Sequence, residues 1–292
     1  MSWLRKNKGR FAAPIFVSLL LVLSMGARAQ EPVLSSVSWR GETVADGITL
    51  YRAAFDSSQF GANQYLCVLE VAPGARFDIV PAGDSTLEKT TALAARSGAV
   101  AAVNGSFFNM KAPYGSVNYL RVDDADLAPN RLSPNAPGSG RTLQQGGAVA
   151  TFRGGLYVLK GDDLRAWERY IAAEDVVTTG PVLIAGGEPE PVRPAKFNTD
   201  RHPRTAAGRR ADGTVLLVVA DGRSPQAAGL TMAELQQVML SLGCRDAINL
   251  DGGGSTAMVV RGEVVNHPSD NRQFDAEGER SVANAIVVSV DR

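Results

Sequence analysis

The alternation of apolar and polar positions marks a run of short strands. Ile48-Thr49-Leu50-Tyr51-Arg52 and Gln64-Tyr65-Leu66-Cys67-Val68-Leu69-Glu70-Val71 are rich in β-branched and aromatic residues. Phe77-Asp78-Ile79-Val80 follows the turn Pro73-Gly74. Ser85-Thr86-Leu87-Glu88 has capping-box spacing and predicts a helix to about Arg96, ended by Gly98. Ala99 to Val103 reads as a short strand of small residues. Val215-Leu216-Leu217-Val218-Val219-Ala220 is a continuous apolar run, the pattern of a strand covered on both faces. Thr231-Met232-Ala233-Glu234 is a second capping box. Leu235, Val238, Met239 and Leu242 then share one helical face, with Gly243 placed at C′. Ala247-Ile248-Asn249-Leu250 is the next strand. Arg261-Gly262 predicts a hairpin turn between Met258–Val260 and Glu263–Val265, and Val282 to Val290 a closing strand.

Strand, helix, strand over residues 215–250 implies a parallel pair with a right-handed crossover. The expected fold class is therefore α/β with α+β character: a mixed sheet on a parallel strand-helix-strand core, with the site at the strand carboxyl ends. Residues 123–147, with Pro129, Pro134 and Pro137, and the polar residues 266–280 read as long loops, either functional lids or disorder.

The first residues change the picture of the compartment. Arg5, Lys6, Lys8 and Arg10 precede an apolar stretch from Phe11 to Met25, and Ala27-Arg28-Ala29 is a small-x-small cleavage site. This is the layout of a signal peptide over residues 1–29, which implies an exported chain starting at Gln30, periplasmic or secreted. The expected organisation is one domain over 30–292, with a β-rich part (30–84) and a motif-bearing part (85–292). No later segment is apolar enough to predict stable membrane insertion once the leader is gone. The whole chain of 292 residues has a formal charge of zero. Losing the leader removes five basic residues and no acidic one, leaving minus five. That disfavours nucleic acid as a partner, because non-specific binding needs a basic face. Cys67 and Cys244 sit in apolar surroundings, and the sequence allows either a disulfide or two buried thiols.

The chemistry concentrates in Asn249-Leu250-Asp251-Gly252-Gly253-Gly254-Ser255-Thr256. A carboxylate at a strand end is followed by glycines, which let backbone N–H groups approach an anion, and by two hydroxyls. This is either a site suited to hydrolysis of a phosphorylated substrate or an Asx-type turn in which Asp251 caps its own glycines. Asp221-Gly222-Arg223-Ser224 sits at a second strand end; it is either a catalytic acid or an ordinary Asp-Gly turn. Arg201-His202-Pro203-Arg204-Thr205 either offers an imidazole that exchanges protons near neutral pH and, in Arg204, a fork that fits a phosphate, or is a solvated, positively charged turn before a strand. Asn104-Gly105-Ser106-Phe107-Phe108 repeats the strand, polar residue, glycine layout and adds aromatic faces for a sugar. Gly180, in Thr179-Gly180-Pro181, leads into a buried strand beside the site. His267, the second of two histidines, lies in a polar loop and reads as a solvated residue. The spacing lacks the cysteine and histidine clusters of zinc sites, a P-loop, a Gly-x-Ser-x-Gly elbow and a dinucleotide fingerprint. No cofactor is expected, and whether a metal binds is left open.

Taken together, these stretches resemble the phosphodiester glycosidase family. The resemblance rests on Val103–Phe108, Thr179-Gly180-Pro181, His202-Pro203-Arg204-Thr205-Ala206, Asp221-Gly222-Arg223, Asn249–Thr256 and Val282-Ala283-Asn284-Ala285-Ile286. Two positions depart from the pattern, Ser106 for a glycine and Ser281 for a proline. The resemblance implies hydrolysis of a sugar 1-phosphodiester, with release of free sugar from a phosphorylated glycan or glycosyl phosphodiester. In that reading Asp251, His202 and Asp221 are catalytic. Arg204, Asn104, Gly105, Gly180, Gly252, Gly253, Gly254, Ser255 and Thr256 bind the substrate. The alternatives are a phosphodiesterase that cuts the other phosphoester bond and a non-catalytic envelope glycan-binding module.

Overall fold

The computed structural model describes residues 33–132, 142–161 and 164–290. The leader assigned to residues 1–29 lies outside them. Three antiparallel sheets enclose one apolar core. The largest has eight strands, in the order Arg40–Ala45, Ile48–Phe55, Gln64–Val71, Val215–Ala220, Arg204–Arg209, Asp246–Asn249, Val182–Ala185 and Glu188–Pro189. A second runs Glu263–Val264, Met258–Val260, Ala101–Asn104, Asn284–Ser289 and Arg76–Pro81. The third runs Ala125–Ala128, Leu120–Val122, Asp175–Thr179, Gly147–Phe152 and Gly155–Lys160. Leu69, Val219 and Ile248 from the first sheet, Ile79, Val103 and Ile286 from the second, and Val149 and Val177 from the third all meet in the shared core.

The expected α/β class and its parallel strand-helix-strand core are overturned. Every strand pair in the three sheets is antiparallel. Val215–Ala220 and Asp246–Asn249 do run in the same direction across the helix Met232–Ser241. They are not neighbours, because Arg204–Arg209 lies between them and pairs antiparallel with both. The apolar run misled for a clear reason. Leu217 and Val219 face the shared core, while Leu216 and Val218 face a second core under the helix. Burial on both faces makes a strand uniformly apolar, whether its neighbours run parallel or not. The inserted strand has small residues at its centre. A Cβ on Gly208 would lie 2.6 Å from both Cys244 Sγ and Met239 Cε, so glycine lets the helix pack close.

Local signals fared better at the second helix than at the first. Thr231 and Glu234 form the reciprocal capping box, and Gly243 stands at a left-handed φ of 80° just past the end. The box at Ser85 is not used. Glu88 and Lys89 pair instead with Val282 and Ser281 as a short strand, and the helix is Thr90–Ser97. The stretch 123–147 contains the strand Ala125–Ala128 and the turn Leu143–Gln145. Cys67 and Cys244 are buried free thiols that belong to cores on opposite faces of the large sheet.

Candidate functional site

The antiparallel arrangement still gathers the motifs at one edge. Asp221 follows Val215–Ala220, Asp251 follows Asp246–Asn249, and His202 to Arg204 enters the strand between them. Ala220 pairs with Arg204, and the Leu250 N–H donates to the Thr205 carbonyl at 2.8 Å. Asn104, at the end of Ala101–Asn104, ties the second sheet to this edge. Its Nδ2 donates to the Asp251 carbonyl at 2.7 Å. Its Oδ1 accepts from Thr205 Oγ1 at 2.8 Å and from the Ala257 N–H at 3.1 Å. The Asp251 N–H donates to the Gly105 carbonyl at 3.0 Å.

Asp251 is half-buried and flanked by cations. Burial pushes its pKa up to about 6, against the opposing pull of the Ser255 hydroxyl, the Gly252 N–H, Arg280 and Arg223. The Gly252 N–H donates to its Oδ1 at 2.9 Å. Arg223 is exposed and holds a left-handed φ of 63°, a conformation uncommon outside glycine. Its pKa is lowered, first by burial and then by repulsion from Arg280. Arg280 is ion-paired to Asp270. A Cβ on Gly254 would collide with the Arg280 guanidinium and with Asp270 Oδ1, and one on Gly253 would lie 2.8 Å from Arg223 Nη2. The glycines therefore let two guanidiniums come up against the turn that carries Asp251.

Asp221 sits in a different environment, only 1% exposed. Its carboxylate accepts from Asn266 Nδ2 at 2.8 Å and from the His267 N–H at 3.0 Å, and lies 2.7 Å from His267 Nδ1. Burial raises its pKa despite these bonds. The His267 ring stacks on Phe274 with centroids 3.8 Å apart and meets the edge of Tyr65. With Nδ1 at Asp221, Nε2 makes no bond to the described residues. This is an imidazole oriented by a carboxylate, the arrangement that serves proton transfer. The reading of His267 as a solvated loop residue does not describe it.

Several expected ligands are placed otherwise. Arg204 is 1% exposed, lies over the Phe197 ring, and donates to the carbonyls of Leu230, Phe197 and Asp200. Burial lowers its pKa to about 10. It holds backbone rather than facing a ligand. Asn104 is fully buried, with both amide atoms engaged in the bonds above. Gly105 is needed because a Cβ there would strike Asn284 Oδ1. Gly180 is buried and its carbonyl accepts from Asn249 Nδ2 at 2.9 Å. Ser255 and Thr256 are also buried. The N–H groups of Gly252 and Gly253 are used internally, on Asp251 Oδ1 and on the Pro203 carbonyl. Two of the glycine amides expected to cradle an anion are thus spent, and the guanidiniums of Arg223 and Arg280 lie beside the same turn. His202 stays half-buried at the edge, with its pKa lowered first by burial and then by Arg204 and Arg223.

Sequence reasoning missed His267 and Arg280 and left Arg223 inside a turn motif. The signals were thin: one of two histidines, an Asp-Gly-Arg triplet and a charged loop. Among the described residues, no group of three or more His, Cys, Asp or Glu side chains is gathered as metal ligands would be.

Residues 97–289 match the family model for phosphodiester glycosidases. The chain is 39% identical over 89 residues to the SPbeta prophage-derived protein YomE of Bacillus subtilis strain 168, a stretch that is 30% of this chain and 13% of that protein. It is 38% identical over 79 residues to mouse N-acetylglucosamine-1-phosphodiester alpha-N-acetylglucosaminidase, 27% of this chain and 15% of the enzyme. The matches thus span about one seventh of these curated relatives. The catalytic domain of the zebrafish N-acetylglucosamine-1-phosphodiester alpha-N-acetylglucosaminidase, auto-inhibited by its pro-peptide, superposes with a TM-score of 0.65. That superposition covers 88% of both chains at 16% identity, which is a likeness of fold.

Proposed function

The chain belongs to the phosphodiester glycosidase family, and from that premise we propose that it is an exported hydrolase that cleaves the glycosidic bond of a sugar 1-phosphodiester and releases the free sugar. The observation that carries the proposal is the Asp251 carboxylate, with a pKa of about 6, set beside Arg223 and Arg280. A glycosyl phosphodiester has a good leaving group, so its cleavage makes two main demands. The departing phosphate needs positive charge, and the oxocarbenium-like sugar needs a negative partner or a nucleophile. Arg223 and Arg280 suit the first demand, and Asp251 the second.

A pKa of about 6 leaves Asp251 mostly ionised at neutral pH and still close enough to titrate. It can attack C1 directly or take a proton from water that attacks C1. The C1–O bond breaks, its electron pair goes to the phosphate oxygen, and water supplies the hydroxyl of the freed sugar. His267, held by Asp221, suits the proton movements of that sequence, with His202 as the other imidazole at the edge. Asn104, Gly105 and Thr205 support the reaction by fixing the Asp251 backbone. Export is supported by the leader pattern of residues 1–29; no helix among the described residues is long and apolar enough to cross a membrane.

The test is product analysis on a sugar 1-phosphodiester, with Asp251→Asn as the control. Free sugar plus a phosphate monoester is the expected product pair. Sugar 1-phosphate would instead identify a phosphodiesterase that cuts the other bond, and binding without turnover would identify a glycan-binding module.

A further inference from the structure

A groove of about 530 Å³ opens at the other end of the strand that enters the Asp251 edge. Its location follows from the register. Arg204 pairs with Ala220 at the site edge, while Arg209, the last residue of the same strand, pairs with Val215 at the groove. Five residue steps of strand separate the two ends, roughly 17 Å. The groove is lined by Arg76, Phe152, Arg153, Tyr157, Arg209 and Gly213, among others. Two of the arginines are laid over aromatic rings: Arg209 Cζ lies 4.8 Å from the Tyr157 centroid, and Arg153 Cζ 5.1 Å from that of Phe152. Stacking of this kind orients a guanidinium and leaves its N–H edge free for an anion.

The neighbouring charges are accounted for. Arg76 is bound to Asp78 at 2.8 Å. Glu174 accepts the Arg153 backbone N–H at 2.9 Å. The guanidiniums of Arg153 and Arg209 have no carboxylate partner among the described residues. Two oriented cations with no carboxylate partner among the described residues, in a chain that is net acidic without its leader, make a local anion site rather than a basic face.

We infer that this groove is a second, non-catalytic site that takes a remote phosphate of a polymeric glycosyl phosphodiester whose linkage is cut at Asp251. The inference rests on the hydrolase reading above, because a substrate with repeating phosphodiesters can present one anion at Asp251 and another at the groove. Phe152, 40% exposed and carrying Arg153 over its ring, adds apolar surface for a sugar next to the two cations. Occupying both sites tethers the chain and raises the effective concentration of its linkages at Asp251.

The variant that tests this is Arg153→Asn with Arg209→Gln. Asparagine is chosen because Arg153 has a left-handed φ of 49°, which asparagine tolerates. Two substrates are compared, a purified polymer of N-acetylglucosamine joined through 1-phosphodiesters and its single-linkage analogue, methyl N-acetylglucosaminyl phosphate. The double variant should raise KM for the polymer at least about tenfold and leave kcat, and all kinetics on the analogue, unchanged. An unchanged KM for the polymer overturns the inference. Polymer binding to inactive Asp251→Asn protein, with and without the groove changes, is measured by calorimetry. A tenfold loss in that arm supports the groove even if neither substrate is turned over, in which case it is the hydrolase reading that fails. Inorganic polyphosphate binding to the groove as tightly as the sugar polymer would overturn the assignment to a glycan.

Discussion

Two aspartates stand at equivalent addresses, each just past the end of a central strand at the same edge of the large sheet. Asp221 is sealed in, with its oxygens given to Asn266 and His267. Asp251 keeps an open side and has two arginines near its turn. Burial raises the pKa of both, but one carboxylate is spent on orienting a histidine while the other can meet a substrate. The fold supplies the position and the neighbours decide the role, as in other sites where two carboxylates divide the work.

The sharpest way to break this comparison is to neutralise each aspartate in turn. Asp251→Asn should lower kcat by about 10³-fold or more, because the charge that meets the developing cation is gone. Release of free sugar measures it, with circular dichroism to confirm folding. In the wild type the ionised form is the active one, so kcat/KM should rise as pH passes upward through about 6, the value for Asp251. A flat profile between pH 5 and 7 would remove Asp251 from the role. Arg280→Ala comes next. Loss of one charge-assisted contact to the leaving phosphate should cost about 2–4 kcal/mol of transition-state stabilisation, seen as a drop in kcat/KM on a sugar 1-phosphodiester.

Much of the site's address was legible, and much of its chemistry was not. Alternation and capping gave Gln64–Val71, Val215–Ala220, Met258–Val260 and the second helix closely. Local pattern could not reveal that Arg204–Arg209 slides between two strands, because that is a choice among distant partners. The same limit explains Arg204. Its motif context says arginine near a site, but only tertiary packing shows the guanidinium turned inward onto three carbonyls. The glycines after Asp251 were legible as a close-approach device. What approaches them comes from residues 223 and 280, one in a turn and one in a polar loop, and neither has a periodicity to read. His267 was hidden for the same reason, since its meaning lies in a carboxylate 46 positions away.

Changes to the Asp221–His267 pair should have smaller effects. His267→Asn keeps a donor that can reach Asp221 but removes the imidazole, and should cost about 10²-fold in kcat, the low end for loss of a general acid or base. Asp221→Asn should cost less, because the ring stays stacked on Phe274 and loses only its charged anchor. A His267→Asn enzyme with normal kcat would assign the dyad to structure alone.

The smallest effect expected is on stability, and it runs opposite to the effect on activity. A carboxyl whose folded pKa is raised binds its proton more tightly in the native state than in the unfolded chain. Between the unfolded value of about 4 and the folded value of about 6, stability therefore falls as pH rises, and above 6 the penalty is fully present. Asp251→Asn removes the ionisation and with it the penalty, while its amide oxygen can still accept from the Gly252 N–H. At pH 7.5 the variant should be more stable than the wild type by about 1–2 kcal/mol, less than the full linkage value because Asp251 is partly open to water. The advantage should shrink as pH falls through 6 and be gone near 4. Denaturant melts of both proteins at pH 7.5, 6 and 4.5 measure it. A variant less stable than wild type at all three would mean that the Asp251 charge supports the fold, the opposite of what its raised pKa implies.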